Sequence, residues 1–199
     1  LGAPISETGN FAREGIWNQR GYETWREWVL NEYGGVKVGD QRCNVEIIYY
    51  DDESNADTSA KLVEKLITED KVDFLLGPYS SGITMSTSAI AEKYGVIMVE
   101  AHGASEPLFE RGFKNLFAVL TPASYYTESA LKALADAGAK TVVIAQLDET
   151  FSAASAKGAK EWTEQNGMEL LAWETYPADV TDLTGIMTKL RDLNPDVFI

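Results

Sequence analysis

The sequence predicts an α/β fold in which parallel sheets are flanked by helices. Two observations carry that expectation. Short runs of β-branched and aromatic residues alternate with amphipathic segments along all 199 residues, and the links between them are short. Such alternation places consecutive strands parallel in one sheet, with crossover helices covering both faces. A third observation says where function belongs. Polar, glycine-bearing turns follow the strands, and open parallel sheets bind ligands beyond the carboxyl ends of their strands.

Residues 1–5 form a short apolar run that ends in the polar turn Ser6-Glu7-Thr8-Gly9-Asn10. A helix follows over 13–33, where Tyr22, Trp25 and Val29 recur at helical spacing with Trp28 beside them. Gly34-Gly35 ends it. Residues 45–50 are β-branched and aromatic, hence a strand. Asp51-Asp52-Glu53-Ser54-Asn55 closes that strand and offers caps to a helix over 56–70. The rhythm repeats as a strand at 72–76, a helix at 83–94 and a strand at 96–99. After the loop His102-Gly103-Ala104-Ser105 come a short helical turn over 106–111 and an extended run at 116–120. Thr121-Pro122 breaks the chain and marks a junction between two sets of βα units. Helices at 124–137, 152–165 and 183–193 then alternate with strands at 141–146, 170–176 and 197–199. The expected lobes are 1–119 and 120–199, with a hinge near 119–122. The last residues, Pro195-Asp196-Val197-Phe198-Ile199, read as the middle of a strand, so a chain truncated within its second lobe is expected.

Composition narrows the function. Acidic residues number 31 against 17 basic ones, for a net charge of −14. Nucleic acid is therefore an unsuitable partner, because no basic surface exists to release counterions, and an anionic membrane surface is disfavoured for the same reason. No stretch is long and apolar enough to span a bilayer. The chain begins at Leu1 without Met or a visible signal peptide, which a processed or trimmed N-terminus would explain. A single cysteine, Cys43, rules out an internal disulfide and is expected to pack as a small apolar residue near a strand start.

The stretch Gly77-Pro78-Tyr79-Ser80-Ser81-Gly82 is the best candidate binding loop. A strand feeding a tight turn feeding a helix leaves backbone N–H groups unpaired at the helix start, where an anionic or polar ligand group is stabilised. Ser80 or Ser81 can cap that helix, and capping alone would account for them. His102 is the only histidine and lies on the same rim. Trp17, Tyr79 and Phe151 suit either core or pocket. Asp51-Asp52-Glu53 is the rival signal. Acidic pairs at strand ends can hold Mg2+ for phosphoryl transfer, as in a receiver-like phosphoacceptor domain. The plainer reading is an acidic turn that caps the next helix. No phosphate-binding Gly-Lys loop, zinc-binding His-Glu-x-x-His, Cys-x-x-Cys or nucleophile elbow is present. A Ser81–His102–acid triad has no supporting spacing.

Several of these segments together resemble a known family. Asp51-Asp52, the run from Lys71 through Gly82, the run from Ile90 through Val96, and Glu110-Arg111-Gly112-Phe113 are similar to type I periplasmic solute-binding proteins. Within that family they look like the leucine/isoleucine/valine-binding proteins of branched-chain amino acid ABC transporters. The likeness keeps its order over essentially the whole chain. It implies two Rossmann-like lobes joined by a hinge, with a ligand clamped in the interlobe cleft and read by a transporter permease. It implies no enzymatic step, no cofactor and no metal. It also implies a periplasmic or extracellular protein, free or membrane-tethered, whose signal peptide has been removed. Ser81 matches the serine that contacts the ligand carboxylate, with Tyr79 and Ser80 beside it. His102, Gly103 and Ala104 match the loop that holds the same carboxylate, although many relatives carry Thr where Ala104 stands. Phe151 falls where a ligand-facing Tyr is common, and Glu14 or Trp17 falls near an aromatic contact. The family's acidic residue for a ligand amino group would lie beyond Ile199. The ligand class left open is an amino acid, an amide or a small aromatic acid. A cut sheet would also expose apolar edges and invite oligomerisation.

Overall fold

The computed structural model describes residues 1–199. Backbone packing divides them into two units, Leu1–Gly103 with Leu108–Leu120, and Ala104–Pro107 with Thr121–Ile199. The second unit's long segment thus starts at Thr121, and residues 104–107, expected in the first lobe, pack with the second unit.

The first unit runs β1 (Gly2–Ile5), α1 (Ala12–Tyr33), β2 (Val36–Val38), β3 (Gln41–Cys43), β4 (Ile48–Asp51), α2 (Ala56–Thr68), β5 (Leu75–Leu76), α3 (Ser81–Tyr94), β6 (Met98–Glu100) and β7 (Leu116–Ala118). Its main sheet has the order β4-β1-β5-β6-β7, and every pairing in it is parallel. The chain steps one way from β1 to β4 and the other way from β4 to β5 and on to β6. Right-handed crossovers therefore send α1 to one face and α2 with α3 to the other, and α2 packs directly on α3. The order reverses at β1, so the crevice between the loops after β1 and β5 is the topological switch point.

Burial explains why these segments hold. Ala3 and Ile5 of β1, Leu75 and Met98 of the next strands, and Val63, Leu66 and Ala91 of the covering helices are all enclosed. Asn55 caps α2 by accepting from the N–H groups of Asp57 and Thr58. Gly34 and Gly95, both left-handed, end α1 and α3.

The second unit runs α4 (Glu128–Asp136), β8 (Thr141–Leu147), α5 (Thr150–Gln165), β9 (Glu169–Tyr176), α6 (Thr184–Asp192) and β10 (Val197–Phe198). Its sheet is parallel with order β10-β8-β9. Leu131, Val142, Ile144, Ala159 and Met168 form its core.

Three local expectations are corrected. Val36 to Cys43 forms an antiparallel hairpin, β2 with β3, turned at Gly39 with a positive φ of 59°. The Gly39-Asp40 pair between two β-capable runs was the available signal. Cys43 ends that hairpin and is exposed rather than packed. The helix expected over 124–137 splits into a 3-10 turn, Ala123–Tyr125, and α4. The carbonyl of Ser124 accepts from Trp162 Nε1 at 2.8 Å, and its backbone lies so close to Gly158 that a Cβ there would stand 2.1 Å from it. Packing on α5 thus claims the backbone group that a continuous helix would need.

Candidate functional site

The carboxyl ends of the first unit's strands carry a chain of polar contacts that begins with the acidic pair. Asp51 closes β4 and accepts from the N–H groups of Glu7 (2.9 Å), Thr8 (3.2 Å) and Glu53 (2.9 Å), and from the Thr8 hydroxyl (2.8 Å). Burial raises its pKa, but these donors outweigh it and the net shift is downward. Asp52 is fully buried. It accepts from Ser6 Oγ at 2.6 Å, Ser59 Oγ at 3.0 Å and the Ser54 N–H at 2.9 Å. Its pKa is raised by burial against the pull of those donors. The pair knits the loop after β1 to the loop after β4. Its oxygens are consumed by the fold, and no group of three His, Cys, Asp or Glu side chains is placed to hold a metal. The receiver-like reading therefore lacks its Mg2+ ligands.

The loop after β5 is shaped by contacts from three sides. Gly77 has no room for a side chain, since a Cβ there would stand 2.1 Å from Glu100 Oε2. The Gly77 carbonyl accepts from the Tyr22 hydroxyl at 2.8 Å and from Asn18 Nδ2 at 3.4 Å, both on α1. Ser80 takes a positive φ of 78°, unusual for a non-glycine residue. Its Oγ caps α3 by accepting from the Ile83 N–H at 3.2 Å. Ser81 opens α3 and is fully buried.

The loop after β6 hangs on Glu100, the last residue of that strand and fully buried. Its Oε1 accepts from the N–H groups of His102 and Gly103, each at 2.7 Å. Its Oε2 lies 2.8 Å from the Thr84 hydroxyl of α3. Burial pushes this carboxyl up to about 7, against the lowering effect of those donors. One side chain therefore ties the loops after β5 and β6 together from beneath. Above it lies an aromatic row. Phe11 packs on Tyr79 with ring centroids 5.4 Å apart, and Tyr79 on His102 at 5.9 Å. Burial lowers the His102 pKa, so the ring is neutral at neutral pH, and its Nδ1 is enclosed without a hydrogen-bond partner.

The expected site residues thus separate into groups. Tyr79, Ser80, Ser81, His102 and Gly103 gather around Glu100 and Thr84. Ala104 belongs to the second unit, where its carbonyl accepts from the Ala123 N–H at 2.8 Å. Phe151 stands in the first turn of α5 and meets Tyr126 edge-on at 5.3 Å. Trp17 lies on α1, 62% exposed, with the Arg20 guanidinium 4.8 Å above its ring, outside the aromatic row. Sequence reasoning passed over Phe11, Thr84 and Glu100. For Glu100 the usable signal was a carboxylate at the end of an otherwise apolar strand. A separate hollow of about 840 Å3 on the first unit, lined by Tyr22, Trp25, Val45, Phe74 and Val99, is largely apolar and contains none of the rim residues.

The family model described as periplasmic binding protein matches residues 1–199. The chain belongs to the periplasmic binding protein family. Among curated proteins it is similar to Leu/Ile/Val-binding protein homolog 7 of Brucella abortus, 21% identical over 208 residues, covering 100% of this chain and 51% of the relative. The chain thus spans about half the length of the curated relatives it matches. Among solved structures, an ABC-transporter solute-binding protein of R. palustris in complex with 4-hydroxybenzoate superposes with a TM-score of 0.86 at 26% identity, covering 99% of this chain and 52% of that one. The branched-chain amino acid transporter substrate-binding protein LivJ of Streptococcus pneumoniae, in complex with isoleucine, gives 0.80 at 26% identity, with 99% and 55% covered. The resemblance drawn from Lys71 to Gly82 and its companion segments is borne out, as is the α/β fold of parallel sheets flanked by helices.

Proposed function

We propose that this chain is the ligand-binding part of an extracytoplasmic solute-binding component of an ABC transporter, and that its ligand is a small carboxylic acid. The observation that carries the reading is the pairing of the loops after β5 and β6, next to the topological switch point. The α3 N-terminus, with Ser80 and Ser81, and the His102–Gly103 turn are held together by Glu100 beside the Phe11–Tyr79–His102 row. Helix N-termini favour anions, and the tilted rings offer a largely apolar wall, with His102 Nδ1 still without a hydrogen-bond partner. Ala104, Phe151 and Trp17 are proposed as further contacts. Binding would shift an equilibrium between open and closed forms that a membrane permease reads, with no bond made or broken. The protein would work in the periplasm or at the outer cell surface.

Among carboxylic acids, an aromatic acid is favoured over a branched aliphatic amino acid. The rim presents three rings, and Ala104 lacks the hydroxyl that many relatives supply. Relatives named for complexes with 4-hydroxybenzoate, benzoate and isoleucine support the general class. The test is calorimetry on the full-length protein with 4-hydroxybenzoate, benzoate, leucine and isoleucine. Tight 1:1 binding of the benzoates with weaker binding of the amino acids is expected. Ser81→Ala should weaken benzoate binding about tenfold, the value of one hydrogen bond to a charged group, while the unfolding midpoint stays within a few degrees. Binding of none of the four, or an unchanged affinity in Ser81→Ala, would defeat the reading or its site.

A further inference from the structure

We propose that Glu100 is a positioning residue that takes up a proton when a carboxylate ligand binds, and that it passes this change to the Ser80–Ser81 turn through the Thr84 hydroxyl. The coupling to a ligand rests on the function proposed above; the Glu100–Thr84 switch itself does not.

Thr84 Oγ1 lies 2.8 Å from Glu100 Oε2 and 2.8 Å from the Ser80 carbonyl oxygen. A hydroxyl has one proton and donates to one of them at a time. When Glu100 is ionised, the hydroxyl donates to Oε2, and the Ser80 carbonyl keeps only the Thr84 N–H at 3.0 Å. When Oε2 carries a proton, that O–H donates to Thr84 Oγ1, and the Thr84 hydroxyl turns to the Ser80 carbonyl. The N–H groups of His102 and Gly103 stay on Oε1 in both states. No buried donor is orphaned by either arrangement, so the proton changes chiefly the grip on Ser80. That residue holds a positive φ of 78° and immediately precedes Ser81.

The surroundings supply little to hold a charge. From α1 the facing titratable group is Tyr22, whose hydroxyl donates to the Gly77 carbonyl and whose pKa burial drives upward, so it stays neutral. From its own loop the facing group is His102, kept neutral by burial. The flanking strands and α3 meet it with Gly77, Ala118 and Thr84, none of which titrates. Glu100 appears in none of the molecule's ion pairs. Burial places its titration near neutrality. A ligand carboxylate at the α3 N-terminus adds a second negative charge in a poorly solvated site, and like charges there favour protonation of one of them. The balance is simple: one proton moves from solvent to Glu100 Oε2 as the anion binds.

The experiment is calorimetry of the full-length protein with 4-hydroxybenzoate between pH 6 and 8.5, in buffers of different ionisation enthalpy. Amide NMR of the ligand-free protein over the same range accompanies it. The wild type is expected to take up one proton on binding above pH 7 and to lose affinity there by up to about tenfold per pH unit, the linkage limit for one proton. Glu100→Gln should flatten both. The His102 and Gly103 amide signals should titrate together near pH 7 in the wild type and not in Glu100→Gln. Thr84→Val removes a donor to the carboxylate and should move that midpoint upward. If Glu100→Gln does not fold, the wild-type proton count and the Thr84→Val midpoint still decide the matter. Binding without proton uptake would overturn the coupling. Amides that do not titrate between pH 6 and 8.5 would overturn the switch. Absence of binding by any carboxylate, with the amide titration intact, would defeat the functional reading and its coupling and leave the switch standing.

Discussion

Two regions of the same rim end in carboxylates and use them differently. After β4, Asp51 and Asp52 each collect several donors and fasten one loop to another. After β6, Glu100 collects two amides from its own loop and a hydroxyl from α3. The donors win at Asp51, where the carboxylate is held in its charged form. Enclosure wins at Asp52, whose pKa is raised, and at Glu100, which is left near its midpoint at neutral pH. The conspicuous acidic run in the sequence is thus scaffold, and the lone acid is the group placed to respond to its surroundings.

Substitutions can break that contrast. The largest effect is expected from Asp52→Ala, which strands the Ser6 and Ser59 hydroxyls and the Ser54 N–H. Urea unfolding should show a loss of about 4 kcal/mol, several times a net hydrogen bond, because buried donors are left unmade. Gly77→Ala drives a methyl group against Glu100 and should cost about 3 kcal/mol by the same measurement, within the range for overpacking. A wild-type midpoint in either variant would show that the rim relaxes freely.

Proton linkage sharpens the comparison further. A native pKa of about 7 against an ordinary 4.5 means that the folded state holds more protons than the unfolded state between those values. Stability should therefore fall as pH rises from about 4.5 to 7 through Glu100, by at most about 3 kcal/mol, and Glu100→Gln should remove that slope. Asp51 acts oppositely. Its depressed pKa contributes stability above the ordinary aspartate value that is lost as pH falls through the folded one. Denaturation curves of wild type and Glu100→Gln at several pH values separate the two. The smallest effect belongs to Trp17→Ala. With 62% of that residue exposed, unfolding stability should change by no more than about 0.5 kcal/mol. A loss of ligand affinity in the same variant would place Trp17 in the site.

Most of the architecture was legible because strands and helices here are periodic and strongly punctuated. The alternation fixed parallel sheets, and Gly34, Asn55 and Gly95 marked helix ends through their backbone and capping chemistry. The hairpin of Val36 to Cys43 was missed because it is short and largely exposed, so no buried face imposed a pattern. The turn after β5 was legible from Ser80, whose role as the cap of α3 is local. Glu100, Thr84 and Phe11 were not, because each acts on residues many positions away.

What this sequence determined alone is most of the list of elements, the parallel arrangement of the main strands and the loops at their ends, all set by short-range periodicity, turn chemistry and capping. Tertiary structure decided which carboxylate serves as scaffold and which lies beneath the candidate site. That choice depends on which donors reach each oxygen and how much water is excluded. Both are set only when β1, β5 and β6 stand side by side and bring Ser6, Thr84 and Gly103 to their acids.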